Sequence, residues 1–236
     1  MIHTSIERLE RVAWDISEET KNYFCDLGKW HNLSEEEIWA ELVKCILASH
    51  VRWEHATSAW KHLYSLGYIC SKFLVKQPDA EKIIVGELSK SIYEPMTAKG
   101  SGCKFRFPKT KTGQIIKSAI AIYTQGGSLK VNLNNATDDY DARTKLVNLC
   151  SGIGPKQASL FLRNIGYSHS LAIIDSHILK FLQIKGLVSN ISKSPKDKRQ
   201  YLQMEKTFVK YSQTVGIRPA HLDLAIWAVM RVSEVS

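Results

Sequence analysis

The stretch LCSGIGPKQASLFL, residues 149–162, decides the fold more than any other part of the chain. Apolar residues at helical spacing end at Leu149, a turn with two glycines follows, and a second helical pattern begins at Pro155. Proline is well tolerated at the first position of a helix, and glycine permits a sharp turn and close approach of a partner. Because N–H groups at a helix start favour anions, the turn predicts a phosphate clamp that reads no base sequence. The clamp is expected to consist of Gly152, Ile153 and Gly154.

Helical spacing dominates the remaining chain. Ser34 and Glu37 form a capping box before an amphipathic helix that we expect to end near His50. Further helices are predicted over residues 54–66, 80–88, 115–123, 139–149 and 201–211, with a last one opening at Pro219. Residues 97–113 are predicted to form a basic loop, and residues 189–200 a polar connector. Because alternating β-branched runs are nearly absent, we predict an all-α fold in one unit, residues 1–236.

The charge is unevenly distributed. The chain carries a net charge of +9, yet residues 1–41 hold ten carboxylates and four basic residues, so the remainder carries +15. Between Pro95 and Thr137 there are seven Lys or Arg residues and no Asp or Glu. Such a segment suits a polyanion, nucleic acid first of all, although a solvated basic surface has the same composition.

The length and composition of the chain exclude several classes of protein and of metal site. With 236 residues, of which 44% are hydrophobic, the chain is long and apolar enough to fold around a core. Its longest apolar runs are far shorter than the roughly 20 residues of a membrane helix, and its start lacks a secretory pattern. The five cysteines are scattered without a C-x-x-C pair, which argues against zinc or iron–sulfur sites and fits a reducing cytoplasm. We expect no metal and no cofactor.

Two charged residues accompany the clamp. Lys156 follows it directly, and Asp175 comes nineteen residues later, where the apolar run LAII (residues 171–174) meets a new helix. Each has a simple structural interpretation. The lysine would contact phosphate, and the aspartate would cap the helix.

Clamp, lysine and aspartate, in this order, resemble the helix-hairpin-helix DNA glycosylases (the HhH-GPD superfamily). The second type of 8-oxoguanine DNA glycosylase/AP lyase, known mainly from archaea and some bacteria, is most similar. The other matching segments lie at residues 40–49, 105–107, 161–167, 172–178 and 222–227. The resemblance implies two helical lobes with the active-site cleft between them, and a helix-hairpin-helix motif over residues 140–166.

The resemblance also implies roles for individual residues. Lys156 would attack the sugar, and Asp175 would stabilise the positive charge that develops on it. Four residues are expected to contact DNA: His50 and Arg52 after the first helix, Arg106 in the basic loop, and His177. Ser49 and Trp227 are expected at the base pocket. The structural alternatives are a helix-capping His50, a surface His177 and a core Trp227.

The implied function is that of a bifunctional enzyme. It would excise a damaged base from double-stranded DNA, 8-oxoguanine first of all, and cut the strand by β-elimination through a lysine Schiff base. We expect a monomer located with the nucleoid in the cytoplasm and independent of membranes. Residues 49–51 and the chain end, Glu234-Val235-Ser236, depart from the family pattern, which leaves the choice of base open. One alternative is the excision of a different modified base, as in phage DNA. The others are a monofunctional glycosylase or lyase, a non-catalytic DNA-binding module and an RNA-binding protein.

Overall fold

The computed structural model of the chain describes residues 11–13, 15–16, 26–90, 104–189 and 194–233, with side chains up to residue 230. Every regular element in these ranges is a helix, which confirms the predicted all-α class. The chain divides into two compact units. The middle unit comprises His31–Phe161, and the terminal unit comprises Met1–Trp30 together with Leu162–Ser236. In the described residues, none of the helices combines the length and the apolar character that crossing a bilayer requires.

The described residues of the middle unit form seven α-helices and the start of an eighth. They are α1 (Glu35–Ala48), α2 (Trp53–Ser65), α3 (Ser71–Lys76), α4 (Ala80–Leu88), α5 (Pro108–Tyr123), α6 (Leu129–Asn134), α7 (Asp139–Leu149) and α8 (Pro155–Asn164). Helix α1 packs against α2, α5 and α6, and α5 packs against α3, α4 and α7. The chain passes from the middle unit into the terminal unit within α8.

Helix α1 is the centre of the middle unit's core. Its N-terminus has the predicted capping box, since Glu37 N–H donates to Ser34 Oγ at 3.2 Å and Ser34 N–H donates to the Glu37 carboxylate at 2.7 Å. Trp39 is fully buried, and its indole N–H donates to Ile69 O at 2.7 Å. The apolar stripe of α1 therefore lies against the other helices, as its period of 3.6 residues requires.

The first residue of α1 also fixes the start of a distant helix. The Glu35 carboxylate accepts hydrogen bonds from Leu129 N–H (2.6 Å), Lys130 N–H (3.1 Å) and the Tyr123 hydroxyl (2.9 Å). Two N–H groups at the start of α6, which have no partner inside that helix, are satisfied in this way.

The terminal unit packs α9 (Ser176–Ile184), α10 (Lys198–Val215) and α11 (Pro219–Ser233) around one apolar core. Helix α11 contacts both α9 and α10. Fully buried Phe208 and Leu182 contribute to this core, and Ala13 joins it from the N-terminal segment.

The structure corrects three predictions. Residues 108–113 are not loop but the first turns of α5, because Pro108 occupies a position where its fixed φ and missing N–H suit a helix. Residues 97–103 of that predicted loop lie outside the described residues. Helix α10 begins at Lys198, within the predicted connector, because the Asp197 side chain caps it by accepting Gln200 N–H at 2.8 Å. Helix α10 also continues to Val215, beyond its predicted end at residue 211, whereas helix α1 ends at Ala48, near the predicted position.

Candidate active site

The hairpin between α7 and α8 is held by the neighbouring helix α5. Ser118 is fully buried; its Oγ accepts Ser151 N–H at 2.9 Å and lies 3.3 Å from Ser151 O. Gly152 has φ +79°, and a Cβ there would lie 2.4 Å from Cδ of Gln114. The turn therefore needs glycine at Gly152 for its backbone conformation.

The outer part of the hairpin is open. A Cβ on Gly154 would meet no atom within 4 Å, and the residue is exposed, whereas Ile153 is only 6% exposed. The Ile153 side chain is thus an anchor in the core, and only its backbone can face a ligand. Helix α8 starts at Pro155, so the first N–H groups of α8 lack intrahelical acceptors. This arrangement can bind an oxygen anion.

Cys150 adjoins the turn. It caps α7 by donating its N–H to Leu146 O at 2.9 Å, and its thiol is a free one, 5% exposed. Burial raises the pKa of this thiol to about 12.

Lys156 is the second residue of α8 and is partly buried. Among the described residues of the middle unit, none forms an ion pair or hydrogen bond with its amine. Attack on a sugar carbon, the role that the resemblance implies for Lys156, requires the neutral amine of a lysine.

Asp175 caps α9 in the terminal unit. Its Oδ1 accepts His177 N–H at 2.9 Å and Ile178 N–H at 3.0 Å. The structural interpretation of Asp175 as a cap is therefore correct, but the cap occupies one of the two carboxylate oxygens. The helix N-terminus favours a negative charge at this place. Capping and charge stabilisation of a substrate are compatible roles for one side chain.

His177 and Trp227 lie beside the cap. Their ring centroids are 6.4 Å apart with planes at 84°, an edge-to-face contact between α9 and α11. Both side chains are partly exposed, so neither is a fully buried core residue. The terminal unit thus brings Asp175, His177 and Trp227 together.

The turn after α1 carries a strained residue. His50 is exposed and has φ +58°, a left-handed conformation that non-glycine residues seldom adopt. The helix C-cap is the preceding Ser49, not His50. Arg52 is exposed and precedes Trp53, which is 36% exposed and has the Lys44 amine 4.7 Å from its ring centroid. Strained, exposed residues are concentrated at functional sites.

A second strained residue lies next to Arg106. Phe107 has φ +65°, is 43% exposed, and has the Arg106 guanidinium 4.6 Å from its ring centroid. Arg106 was predicted from the sequence, whereas the backbone conformation of Phe107 was not, because no residue pattern signals it. Lys111, counted above among the basic residues of the segment, is only 3% exposed, and burial lowers its pKa to about 8. Lys111 therefore adds no exposed charge to a DNA surface.

A buried ion pair was not predicted from the sequence. Arg163 Nη1 lies 2.6 Å from Oδ1 of Asp223, which is 2% exposed. The signal was available, since both residues interrupt apolar helical patterns. In the described residues, no group of three or more His, Cys, Asp or Glu side chains is arranged to hold a metal ion.

Comparison with known proteins identifies the family. Residues 20–217 match the helix-hairpin-helix family described as 8-oxoguanine DNA glycosylase. The chain belongs to the 8-oxoguanine DNA glycosylase family. Relatives in that family include the 8-oxoguanine DNA glycosylase/AP lyase of Saccharolobus islandicus, 33% identical over 205 residues, covering 86% of each protein. The corresponding enzyme of a Thermotoga species is 30% identical over 226 residues, covering 96% of this chain and 94% of that protein.

Solved structures of the 8-oxoguanine DNA glycosylase family are similar along almost the whole chain. The Methanocaldococcus jannaschii 8-oxoguanine glycosylase/lyase, crystallised with a 15mer DNA containing 8-oxoguanine, has a TM-score of 0.71 and 26% identity, with 95% of each chain covered. The 8-oxoguanine DNA glycosylase of Thermotoga maritima has a TM-score of 0.68 and 26% identity, with 96% of each chain covered. The predicted helix-hairpin-helix fold is confirmed.

Proposed function

We propose that the protein excises 8-oxoguanine from double-stranded DNA and then cleaves the strand as an AP lyase. The observation that carries this proposal is the position of Lys156, one residue after the helix-starting proline of the hairpin, in a member of the 8-oxoguanine DNA glycosylase family. The relatives bearing the glycosylase/AP lyase name match nearly the full length of the chain.

Base release requires a negative charge near the sugar. As the C1′–N9 bond breaks, positive charge develops on the deoxyribose, and the departing base takes the bonding electrons and later a proton. The free oxygen of the capping Asp175 would face this charge, and such electrostatic stabilisation is generally a large part of catalysis. We propose that Lys156 and Asp175 act on the same sugar.

Strand cleavage follows from covalent chemistry of the amine. The neutral amine of Lys156 bonds to C1′, the sugar ring opens with protonation of its O4′, and a Schiff base forms. The protonated imine withdraws electrons, so C2′ loses a proton and the 3′ phosphate leaves with its electron pair. Hydrolysis of the imine then regenerates the lysine.

DNA is bound through the backbone and distorted at the lesion. We propose that the hairpin, with Gly152 and Gly154, holds a phosphate and that His177 and Arg106 add further phosphate contacts. A base must leave the stack before it can be excised, and this extrusion requires a few kcal/mol for an intact pair. His50 is suited to fill the vacated space because it is already held in an exposed conformation. The proposal includes action as a monomer on DNA in the nucleoid.

The base itself would be read in a pocket that includes Ser49 and Trp227. A flat aromatic ring suits a flipped base, and Trp227 is already in edge contact with His177 beside Asp175. A panel of duplexes, each with one modified base, tests this part of the proposal. 8-Oxoguanine is expected to be excised faster than the other bases. Faster excision of another base would show that this other base is the substrate.

Borohydride trapping tests the proposal directly. Wild-type protein on 8-oxoguanine DNA is expected to give a covalent protein–DNA adduct, because borohydride reduces the Schiff base. Lys156→Gln should give no adduct, whereas Lys117→Gln, a matched change of an exposed lysine in the same unit, should trap like the wild type. An adduct of equal yield with Lys156→Gln would show that another amine is the nucleophile.

Asp175→Asn separates catalysis from mere DNA binding. An asparagine oxygen can still accept the two N–H groups of the cap, so the helix is retained while the charge is lost. In an enzyme, release of free base should fall strongly. In a non-catalytic module, binding should strengthen slightly, since a negative charge near phosphate is removed.

A further inference from the structure

The buried carboxylate of Asp223 lies in α11 and has two separate partners. Its Oδ1 pairs with Arg163 Nη1 at 2.6 Å, and its Oδ2 accepts the N–H of Ile173 at 2.8 Å. Arg163 is in the last turn of α8, and Ile173 precedes Asp175 by two residues. One side chain therefore connects the end of the hairpin's second helix to the segment that carries the capping aspartate.

That segment depends on side chains for its hydrogen bonds. Residues 171–174 lie between α8 and α9, have no regular structure, and are all buried. Buried backbone groups need partners, and these residues lack the ladder of a helix or sheet. Asp223 supplies the acceptor for Ile173; the Tyr201 hydroxyl supplies a second anchor, donating to Ala172 O at 3.1 Å and accepting Ile174 N–H at 3.4 Å.

The charges at this place are unusual for a protein core. Burying an arginine and a carboxylate is costly, and an apolar pair of similar volume is often as stable or more so. Packing alone therefore does not explain the pair. Desolvation raises the pKa of Asp223 to about 7, Arg163 acts against this rise, and the negative charge of Asp175 adds to it. The two carboxylates are thus close enough to interact, and the guanidinium lies beside one of them.

We propose that Asp223, held in place by Arg163, is a positioning residue for Asp175. By fixing the backbone at Ile173, it sets where the α9 cap begins and where the unused oxygen of Asp175 is held. This inference rests on the function proposed above. Misplacement of a catalytic group by about 1 Å can lower a rate by roughly 100-fold, so loss of this anchor should slow base excision while DNA binding is retained.

Two double variants isolate the anchoring hydrogen bond. Arg163→Met with Asp223→Leu removes both charges and the acceptor for Ile173, and Arg163→Met with Asp223→Asn removes both charges but keeps an acceptor. Leucine and asparagine are similar in size, so the pair differs chiefly in this hydrogen bond. Single-turnover excision of 8-oxoguanine is expected to fall about 100-fold in the leucine variant and no more than about tenfold in the asparagine variant. Affinity for DNA with an abasic-site analogue should stay within about threefold of wild type in both, because neither change touches a phosphate contact.

A separate variant controls for effects of lowered stability on the excision rate. Leu63→Ala alters a fully buried residue of α2 in the middle unit, whereas the anchored segment belongs to the terminal unit; it is expected to lower the melting temperature without lowering the single-turnover rate below its melting range. Amide hydrogen exchange over residues 171–175 should accelerate in the leucine variant relative to the asparagine variant.

The outcomes are distinct. Equal excision rates in the two double variants, or unchanged exchange over residues 171–175, would overturn the positioning role. If wild-type protein releases no base while exchange responds as expected, the anchor stands and the proposed function fails instead.

Discussion

The two hairpin glycines should respond differently to replacement by alanine. Gly152→Ala should lower the stability of the protein, whereas Gly154→Ala should weaken DNA binding. At Gly152 the backbone has φ +79°, and the left-handed conformation costs an L-residue roughly 1–2 kcal/mol. Alanine reduces the entropy of the unfolded chain, which returns about 0.4–1 kcal/mol. The new Cβ would lie 2.4 Å from Gln114 Oε1 and 2.9 Å from its Cγ, so that side chain, whose Oε1 is buried, must shift as well. The backbone contribution alone is a net loss of about 1 kcal/mol, which for a chain of this size lowers the melting temperature by at least roughly 2–4 °C.

At Gly154 a Cβ meets no atom of the protein within 4 Å, so Gly154→Ala should change the free energy of unfolding by no more than about 0.5 kcal/mol. The same methyl group would occupy the space through which a phosphate reaches the hairpin N–H groups. Loss of one hydrogen bond to a charged group is worth about 1.5–3 kcal/mol, or roughly 10- to 100-fold in affinity.

Calorimetry and fluorescence anisotropy with a duplex containing an abasic-site analogue measure the two effects. The expected pattern is a less stable Gly152→Ala protein, and a Gly154→Ala protein of unchanged melting temperature and weakened DNA binding. A Gly154→Ala variant that binds this duplex like the wild type would refute the assignment of the hairpin as the phosphate clamp. A Gly152→Ala variant as stable as the wild type would refute the strain argument.

Substitutions at three further positions test other features. Ser34→Ala removes the capping box and should lower the free energy of unfolding in urea by about 1 kcal/mol, whereas Ser34→Asp, which can still cap, should lower it far less; equal losses would contradict the capping role. Folding lowers the pKa of Lys111 from 10.5 to about 8, so the native state binds fewer protons than the unfolded state between these pH values, and wild-type stability should rise with pH there. Lys111→Met should be more stable than the wild type at pH 7 and should abolish this rise. A rise that persists in Lys111→Met would show that another group causes it. His50→Gly relieves the left-handed strain and should raise stability by about 0.5 kcal/mol while base excision slows; unchanged excision would remove His50 from the DNA interface.

Local signals in the sequence predicted most helices because each signal acts within a few residues. The box of Ser34 and Glu37, the caps at Asp138 and Asp175, and Pro155 at a helix start all act through neighbouring backbone groups. The short helices α3 and α6 were missed, because six residues give too little periodicity. The loop prediction over residues 108–113 weighed glycine and lysine content above the proline that starts a helix.

Long-range contacts are the part that a residue pattern does not contain. Nothing near Asp223 in sequence shows that its partners are Arg163 and the N–H of Ile173, which are 60 and 50 positions away. The burial of Lys111 is hidden for the same reason, since it depends on the packing of α5 against other helices. The resemblance to a family predicted the roles of Lys156 and Asp175, and these roles stay predictions until the variants are assayed.

The buried thiol beside the hairpin bears on the conditions in which such an enzyme would work. Guanine oxidation accompanies peroxide, which attacks thiolates rather than thiols. Burial raises the pKa of the Cys150 thiol to about 12, so it stays protonated at neutral pH, and the residue is only 5% exposed. The turn that would bind DNA therefore adjoins a thiol that is poorly suited to react with peroxide.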